Sequence, residues 1–331
     1  MGRFNPVACR RSNRLPHRGL HCAAASLGIL AAALFAGSAF AQQSEAQQSE
    51  SVLRVCADPN NLPLSNDKGE GYENHIAEEL GRSLGRRVEY TFFPQRMGFV
   101  RNTLRQKDVE TQQFKCDVII GVPKGYELTA TTRPYMRSTY ALVFPWRDDF
   151  EKLHTASDLL SLPAEKRSKL RIGVFGRSPG SDWLLKNDML DHAVVYAPQS
   201  GDPAESPAHI IEQDLAAKKI DAAIVWGPIA GYLVRRNSGY PSWMSVPFMP
   251  DESIRFDYEI SMGVRFGEKE WKDKLDQWIA EHKDEVEQIL LGYRVPLLDA
   301  DGKVIANKAA EDQARAGAVP KQIPLQIERN P

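Results

Sequence analysis

Gly176-Arg177-Ser178-Pro179-Gly180 matches G-x-S-x-G and falls between a predicted strand and a predicted helix, where a nucleophile elbow presents its serine. Such an elbow builds its oxyanion hole partly from the backbone N–H of the residue after the serine. Here that residue is Pro179, which has no N–H, and no histidine is evidently placed to act as base. The pattern therefore argues against a hydrolase. Two uses of the loop remain open. Amides at a helix N-terminus, with Arg177 and the Ser178 and Ser181 hydroxyls, suit an anionic or carbonyl group; otherwise the loop is a tight turn with Ser181 as its cap.

Other reactive patterns are weaker still. His75, His154, His192, His209 and His282 form no H-E-x-x-H and share no metal-ligand spacing with cysteine or carboxylate. His282 lies on an apolar stripe and reads as a core or boundary histidine. C-x-x-C, G-x-G-x-x-G and a Walker loop are missing from the sequence. Asp299-Ala300-Asp301-Gly302 lacks the other ligands of a calcium loop and reads as an Asp-Gly turn. No catalytic residue, metal ligand or cofactor is assigned.

Binding chemistry is better represented. In Arg54–Leu80 a short strand, Val52–Ala57, enters a polar loop holding Pro59, Asn60, Asn61 and Pro63. Gly71-Tyr72-Glu73 then opens a helix with Ile76, Ala77, Leu80 and Leu84 at helical spacing. A loop at the carboxyl end of an opening strand is where open α/β sheets place ligands. Asn60, Asn61, Pro63, Tyr72 and Glu73 are therefore assigned to one wall of a cleft.

The rest of the chain positions that wall. Arg3, Arg10, Arg11, Arg14 and Arg18, then an Ala/Leu-rich run ending Ala39-Phe40-Ala41, predict a signal peptide over residues 1–41. Its removal leaves 37 basic against 43 acidic side chains, a net charge of −6, with no basic run to bind nucleic acid and no membrane span. The expected location is the periplasm. Only Cys56 and Cys116 then remain; in an oxidising compartment they suggest one disulfide, two buried thiols being the alternative. Residues 42–50, QQSEAQQSE, read as a disordered spacer.

Strands at Arg87–Phe93 and Val118–Val122 alternate with helical segments, which is α/β grammar. A loop-rich segment leads to a strand at Thr139–Phe144, and the grammar repeats through Leu170–Phe175, His192–Ala197 and Ala222–Val225. Ser206-Pro207 caps a helix in this second unit. A return strand within Phe256–Phe266 and one long helix to Tyr293 follow. The expected organisation is two parallel-type α/β lobes joined by two crossing strands. Lobe 1 is assigned to residues 51–143 plus 257–295, lobe 2 to 144–256, and a polar tail to 296–331.

Six segments in order resemble a known family: RVCADPNNLPLSN, GEGYENHIAEEL, YTFFPQRMGFVRNTL, CDVIIGVPKGYELTATTRPYMRSTYALVF, DAAIVWGPIAGY and GYRVPLL, together spanning about residues 52–298. They are similar to the type II periplasmic solute-binding fold, and within it to the MxaJ/XoxJ-like proteins associated with PQQ-dependent methanol dehydrogenases. The resemblance implies a non-catalytic partner of such a dehydrogenase, acting in its maturation, activation or assembly with cytochrome c. The alternative is a solute-binding protein that delivers a small ligand other than an amino acid, as an ABC-transporter receptor or a carrier of a cofactor or metal complex.

Departures from the parent fold matter here. Amino-acid-binding relatives carry an arginine for the ligand carboxylate just after the third strand, where this chain has Gly125-Tyr126; Arg133 is either a substitute for it or, in Arg-Pro-Tyr at a loop-to-strand junction, a structural residue. They also carry an acid for the ammonium where this chain has Trp226. Burying an ammonium without a counter-charge is costly. Trp226 and Tyr126, with Tyr72 and Tyr258, suggest an aromatic-rich cleft suited to a neutral molecule or a protein segment; the alternative is that these rings pack the lobe interface, the preferred reading for Tyr258.

Overall fold

The computed structural model describes residues 51–198, 202, 204–239 and 242–305. The expected signal peptide, the spacer and most of the polar tail lie outside the described residues. The chain runs β1 (Val52–Ala57), β2 (Asn60–Asn61), β3 (Ser65–Asn66), α1 (Tyr72–Ser83), β4 (Arg87–Phe92), α2 (Phe99–Asn102), β5 (Val118–Pro123) and β6 (Ala130–Pro145). It continues through α3 (Ala164–Arg167), β7 (Ile172–Phe175), α4 (Pro179–Lys186), β8 (Ala193–Tyr196), α5 (Pro207–Ala216), β9 (Ala222–Trp226) and α6 (Gly227–Arg236). It closes with β10 (Trp243–Pro247), β11 (Asp257–Val264), α7 (Lys269–Glu281) and α8 (Lys283–Gly292).

Nine of these strands share one sheet, ordered β4-β1-β5-β11-β6-β9-β7-β8 with β10 also paired to β6. Pairing is parallel at β4–β1–β5 and at β9–β7–β8, and antiparallel in the middle. Parallel strands must be covered on both faces, and the period of two in β1 shows how. Leu53 and Val55 point into one core with Ile76, Ala77 and Leu80 of α1 and Leu275, Trp278 and Leu290 of α7 and α8. Cys56 points into another with Phe99, Leu104, Cys116 and Ile119. Two further clusters, around Ile172 and Ile224 and around Ile211 and Leu233, cover the other parallel triplet.

Three sequence expectations change. The segment read as loop-rich before Thr139 is strand from Ala130, because Thr131, Thr132 and Tyr135 favour a pleated backbone and β11 pairs with it through Val264↔Ala130. The predicted single long helix is two, broken at His282, whose ring stacks on Trp278 at 4.8 Å and whose Nδ1 lies 3.1 Å from the Trp278 carbonyl oxygen. The tail begins as a strap rather than as free chain: Leu297 and Leu298 are buried, and Leu297 bridges to Ser138. Ser138 Oγ donates to the Pro296 carbonyl at 2.9 Å, and the Leu298 N–H to the Arg137 carbonyl at 2.8 Å. Glycines 227 and 231 of α6 let this strap close, since a Cβ would meet Pro296 at the first and the Arg294 carbonyl at the second.

Cys56 and Cys116 are disulfide-bonded, 60 residues apart in sequence. Closing a loop of that length stabilises by roughly 4 kcal/mol if the effect is carried by unfolded-chain entropy. Urea unfolding with and without reductant is expected to show a loss of that order in the reduced protein, and equal midpoints would refute it.

Candidate functional site

The loop after β1 is organised by Asp58. One carboxylate oxygen accepts the Asn60 N–H at 2.8 Å, an Asx turn, and the other accepts the Gln95 N–H. Ser65 Oγ donates to the Asp58 carbonyl at 2.9 Å and accepts its N–H at 3.1 Å. These bonds hold the β2–β3 hairpin over the carboxyl end of β1. Opposite stand Phe175 at the end of β7 and the segment leading into α5, and a small gap of about 90 Å³ lies between, lined by Asp58, Asn60, Asn61, Gln95, Arg96 and Ser206 among others. Asn60 Nδ2 donates across it to the Ala204 carbonyl at 2.8 Å, and Asn61 Nδ2 to Gln95 Oε1 at 3.1 Å. The two amides named from sequence as ligand groups thus serve one lobe-to-lobe contact and one brace within lobe 1.

The other sequence-predicted residues are dispersed. Pro63 follows a cis peptide bond, and its carbonyl accepts the Tyr72 N–H at 2.9 Å. Tyr72 is buried in the first core, its ring edge-on to Tyr293 at 5.9 Å, and so forms no part of a cleft wall. Arg133 is exposed on β6, its N–H donating to Asp276 of α7 at 2.5 Å, apart from the Asn60 loop. Ser178 and Ser181 form a reciprocal cap on α4: Ser181 Oγ donates to the Ser178 carbonyl at 2.7 Å and accepts the Ser178 N–H at 3.1 Å, and Ser178 Oγ accepts the Ser181 N–H. Their bonding capacity goes to the helix, while Arg177 is exposed with φ of 58°.

Trp226 lies at the crossing between the lobes. Its ring meets Tyr140 of β6 at 5.6 Å and Tyr258 of β11 at 5.9 Å, both edge-on, and Arg255 covers the outer face of Tyr258 at 4.7 Å. Trp226 and Tyr258 thus pack against each other and Tyr140, while Tyr72 and Tyr126 lie elsewhere. Tyr126 instead lines a larger groove of about 470 Å³ on lobe 1, with Gln95, Arg96, Met97, Arg101, Arg105 and Leu128. Gln95 and Arg96 border both depressions.

Glu73 is the unusual group. It is buried in the first turn of α1 beneath Gly121, where a Cβ would fall on its Oε1 and lie 3.5 Å from the Tyr135 hydroxyl. That hydroxyl is itself buried without a hydrogen-bond partner among the described residues. Burial, and then the charge of Asp58, push the Glu73 carboxyl up to about 8, so it is mostly uncharged at neutral pH. Burial also raises the Tyr135 and Tyr72 phenols well above their ordinary value. Neither Asp58 nor Tyr135 was named from sequence. The Asp-Pro-Asn run at the end of β1 is the signal that could have found the first; nothing local marks the second.

The architecture and the gap between two α/β lobes define the type II periplasmic binding fold. The periplasmic binding protein XoxJ from Methylobacterium extorquens AM1 is 33% identical in sequence, aligns over 75% of this chain and 99% of its own, and superposes with a TM-score of 0.58. MxaJ from Methlophaga aminisulfidivorans MPT is 23% identical over 74% of this chain and 100% of its own, with a TM-score of 0.59. Protein MoxJ of Paracoccus denitrificans is 29% identical over 263 residues, 74% of this chain and 89% of that protein. No family model matches the chain. The chain belongs to the family of XoxJ- and MxaJ-type periplasmic binding proteins.

Glu73 makes stability depend on pH with a definite sign. The carboxyl titrates near 4.5 when unfolded and near 8 when folded, so stability is full below about 4.5 and falls as pH rises through 8. The slope is on the order of 1.4 kcal/mol per pH unit within that window. Thermal unfolding of Glu73→Gln is expected to show a flatter profile between those limits and a higher Tm than the wild type at alkaline pH. Parallel profiles for the two proteins would contradict the assignment.

Proposed function

We propose that this chain is a non-catalytic periplasmic partner of a PQQ-dependent methanol (alcohol) dehydrogenase, acting in its maturation, activation or assembly with cytochrome c. The observation that carries this reading is the likeness to XoxJ, a third of the aligned residues over 99% of that chain. The site supports it. Small-molecule sites commonly enclose about 300–1,000 Å³, whereas the gap between the lobes is about 90 Å³ and is bridged by Asn60. Trp226 packs against Tyr140 and Tyr258 where amino-acid-binding relatives carry an acid, and supplies no charge for an ammonium. Ser178, the nucleophile a hydrolase would need, spends its hydroxyl on a helix cap ahead of Pro179.

In this reading the lobes are residues 51–143 with 257–295, and residues 144–256, and the first 41 residues are the export signal. Among the described residues no helix is long and apolar enough to cross a membrane. The test is direct binding. The mature chain, immobilised, is expected to retain purified quinoprotein dehydrogenase from the same organism at low and at moderate salt. Loss of retention under both conditions would end this reading. The small-ligand alternative would instead show as a Tm rise in a screen of solutes and cofactor or metal complexes, as linkage requires.

A further inference from the structure

The groove beside α2, at about 470 Å³, is larger than the gap of about 90 Å³ between the lobes. Its floor is apolar: Phe99 and Val100 of α2, Val122 and Pro123 at the end of β5, and Tyr126. Its charged lining consists of three arginines, Arg96, Arg101 and Arg105, with no carboxylate among them. This sits on a chain whose formal net charge is −1 overall and −6 without its first 41 residues. Arg101 and Arg105 are exposed and make no ion pair among the described residues. Arg105 is held in place all the same: Nη2 donates to the Leu128 carbonyl at 2.6 Å, and the guanidinium lies 5.9 Å from the Phe266 ring centre.

Large apolar side chains are exposed in the groove, at Met97 and Leu128, and beyond it, at Phe266. Met97 is 90% exposed, Phe266 61% and Leu128 44%. A small molecule filling the groove would reach Met97 and Leu128 but leave Phe266, which lies outside the lining, in water. A polypeptide laid along it would cover all three. Methionine, aromatic residues and arginine are the side chains enriched where protein surfaces meet, methionine because it repacks around different shapes. A guanidinium at the edge of an apolar floor favours a carboxylate, which it can grip with two parallel hydrogen bonds.

We propose that this groove, and not the gap between the lobes, is the docking site for the partner, and that its occupant is an acidic segment with apolar side chains on the partner protein's surface. The carboxylates meet Arg101 and Arg105, and the apolar side chains seat on Phe99, Tyr126 and Leu128 with Met97 and Phe266 closing over them. This rests on the reading above for the identity of the partner. Lobe 2 does not contact the segment directly; it borders the site only through Gln95 and Arg96, which line both depressions.

The experiment measures the affinity of the mature chain for the purified dehydrogenase at about 50 and 200 mM salt. Arg101→Glu with Arg105→Glu is expected to weaken binding by about tenfold or more and to remove most of its salt dependence, because charge pairing governs both. Met97→Asp, at an exposed position that does not threaten folding, is expected to weaken it independently. Lys169→Glu, exposed on lobe 2, is the control and is expected to change nothing. Wild-type binding that both groove variants preserve would overturn this inference alone. Wild-type binding that is missing altogether would overturn the functional reading and this inference with it.

Discussion

Everything in the structure hangs on one strand that belongs to both lobes. β6 has 16 residues, Ala130–Pro145, and changes partner along its length. Up to Thr139 it pairs with β11; from Tyr140 it pairs with β9 and β10. At the hand-over Ser138 and Thr139 are fully buried, and burial of an unpaired hydroxyl would cost about 1–3 kcal/mol. Both are satisfied by chain returning from elsewhere: Ser138 by Pro296 of the strap, Thr139 by the Phe248 carbonyl at 2.9 Å. The angle between the lobes is therefore set by hydrogen bonds and by the Tyr140–Trp226–Tyr258 rings, with the strap as a third support.

That arrangement bears on what the molecule recognises. A receptor that closes around a solute needs an empty space between its lobes and groups there to hold the guest. Here the polar groups of the opening loop are used internally, by Asp58 for the turn and by Asn60 and Asn61 for bracing. The arginines and exposed apolar side chains lie to one side, around α2. In the reading proposed above, the crevice of the fold and the groove that takes the partner are separate places, as suits a guest that is a protein surface rather than a solute.

Much of the architecture was legible from local patterns. The alternation in β1, the helical spacing of Ile76, Ala77 and Leu80, and the Ser206-Pro207 cap each lie within a few residues of one another, so the sequence displays them directly. β6 was half missed, because its first half is held by β11, more than a hundred residues away. The break at His282 depends on stacking over Trp278, and the strap depends on glycines in α6; neither leaves a local mark. The same limit explains the site. Asn60, Asn61 and Trp226 were singled out from sequence as cleft residues, yet what each touches is decided by Ala204, Gln95, Tyr140 and Tyr258, and composition cannot reveal those pairings. Tyr72 is taken into the core and Arg133 sits on β6 beside Asp276 of α7, placements that only the assembled sheet defines.

The hand-over on β6 has a further consequence for how this molecule is put together. β6 exchanges β11 for β9 at Tyr140, the chain returns toward β11 at Phe256, and the Tyr140 N–H donates to the Phe256 carbonyl at 3.0 Å. Just before and just after, Thr139 and Asp257 are paired neighbours across two antiparallel strands. Entrance and exit of more than a hundred residues are thus adjacent, as they are in a module inserted into a host. The first lobe, with its disulfide and its groove, is the host. Its two halves are separated by a distance that a tight hairpin turn would span, so the second lobe is in topological terms detachable, and a shortened descendant of this chain is architecturally conceivable.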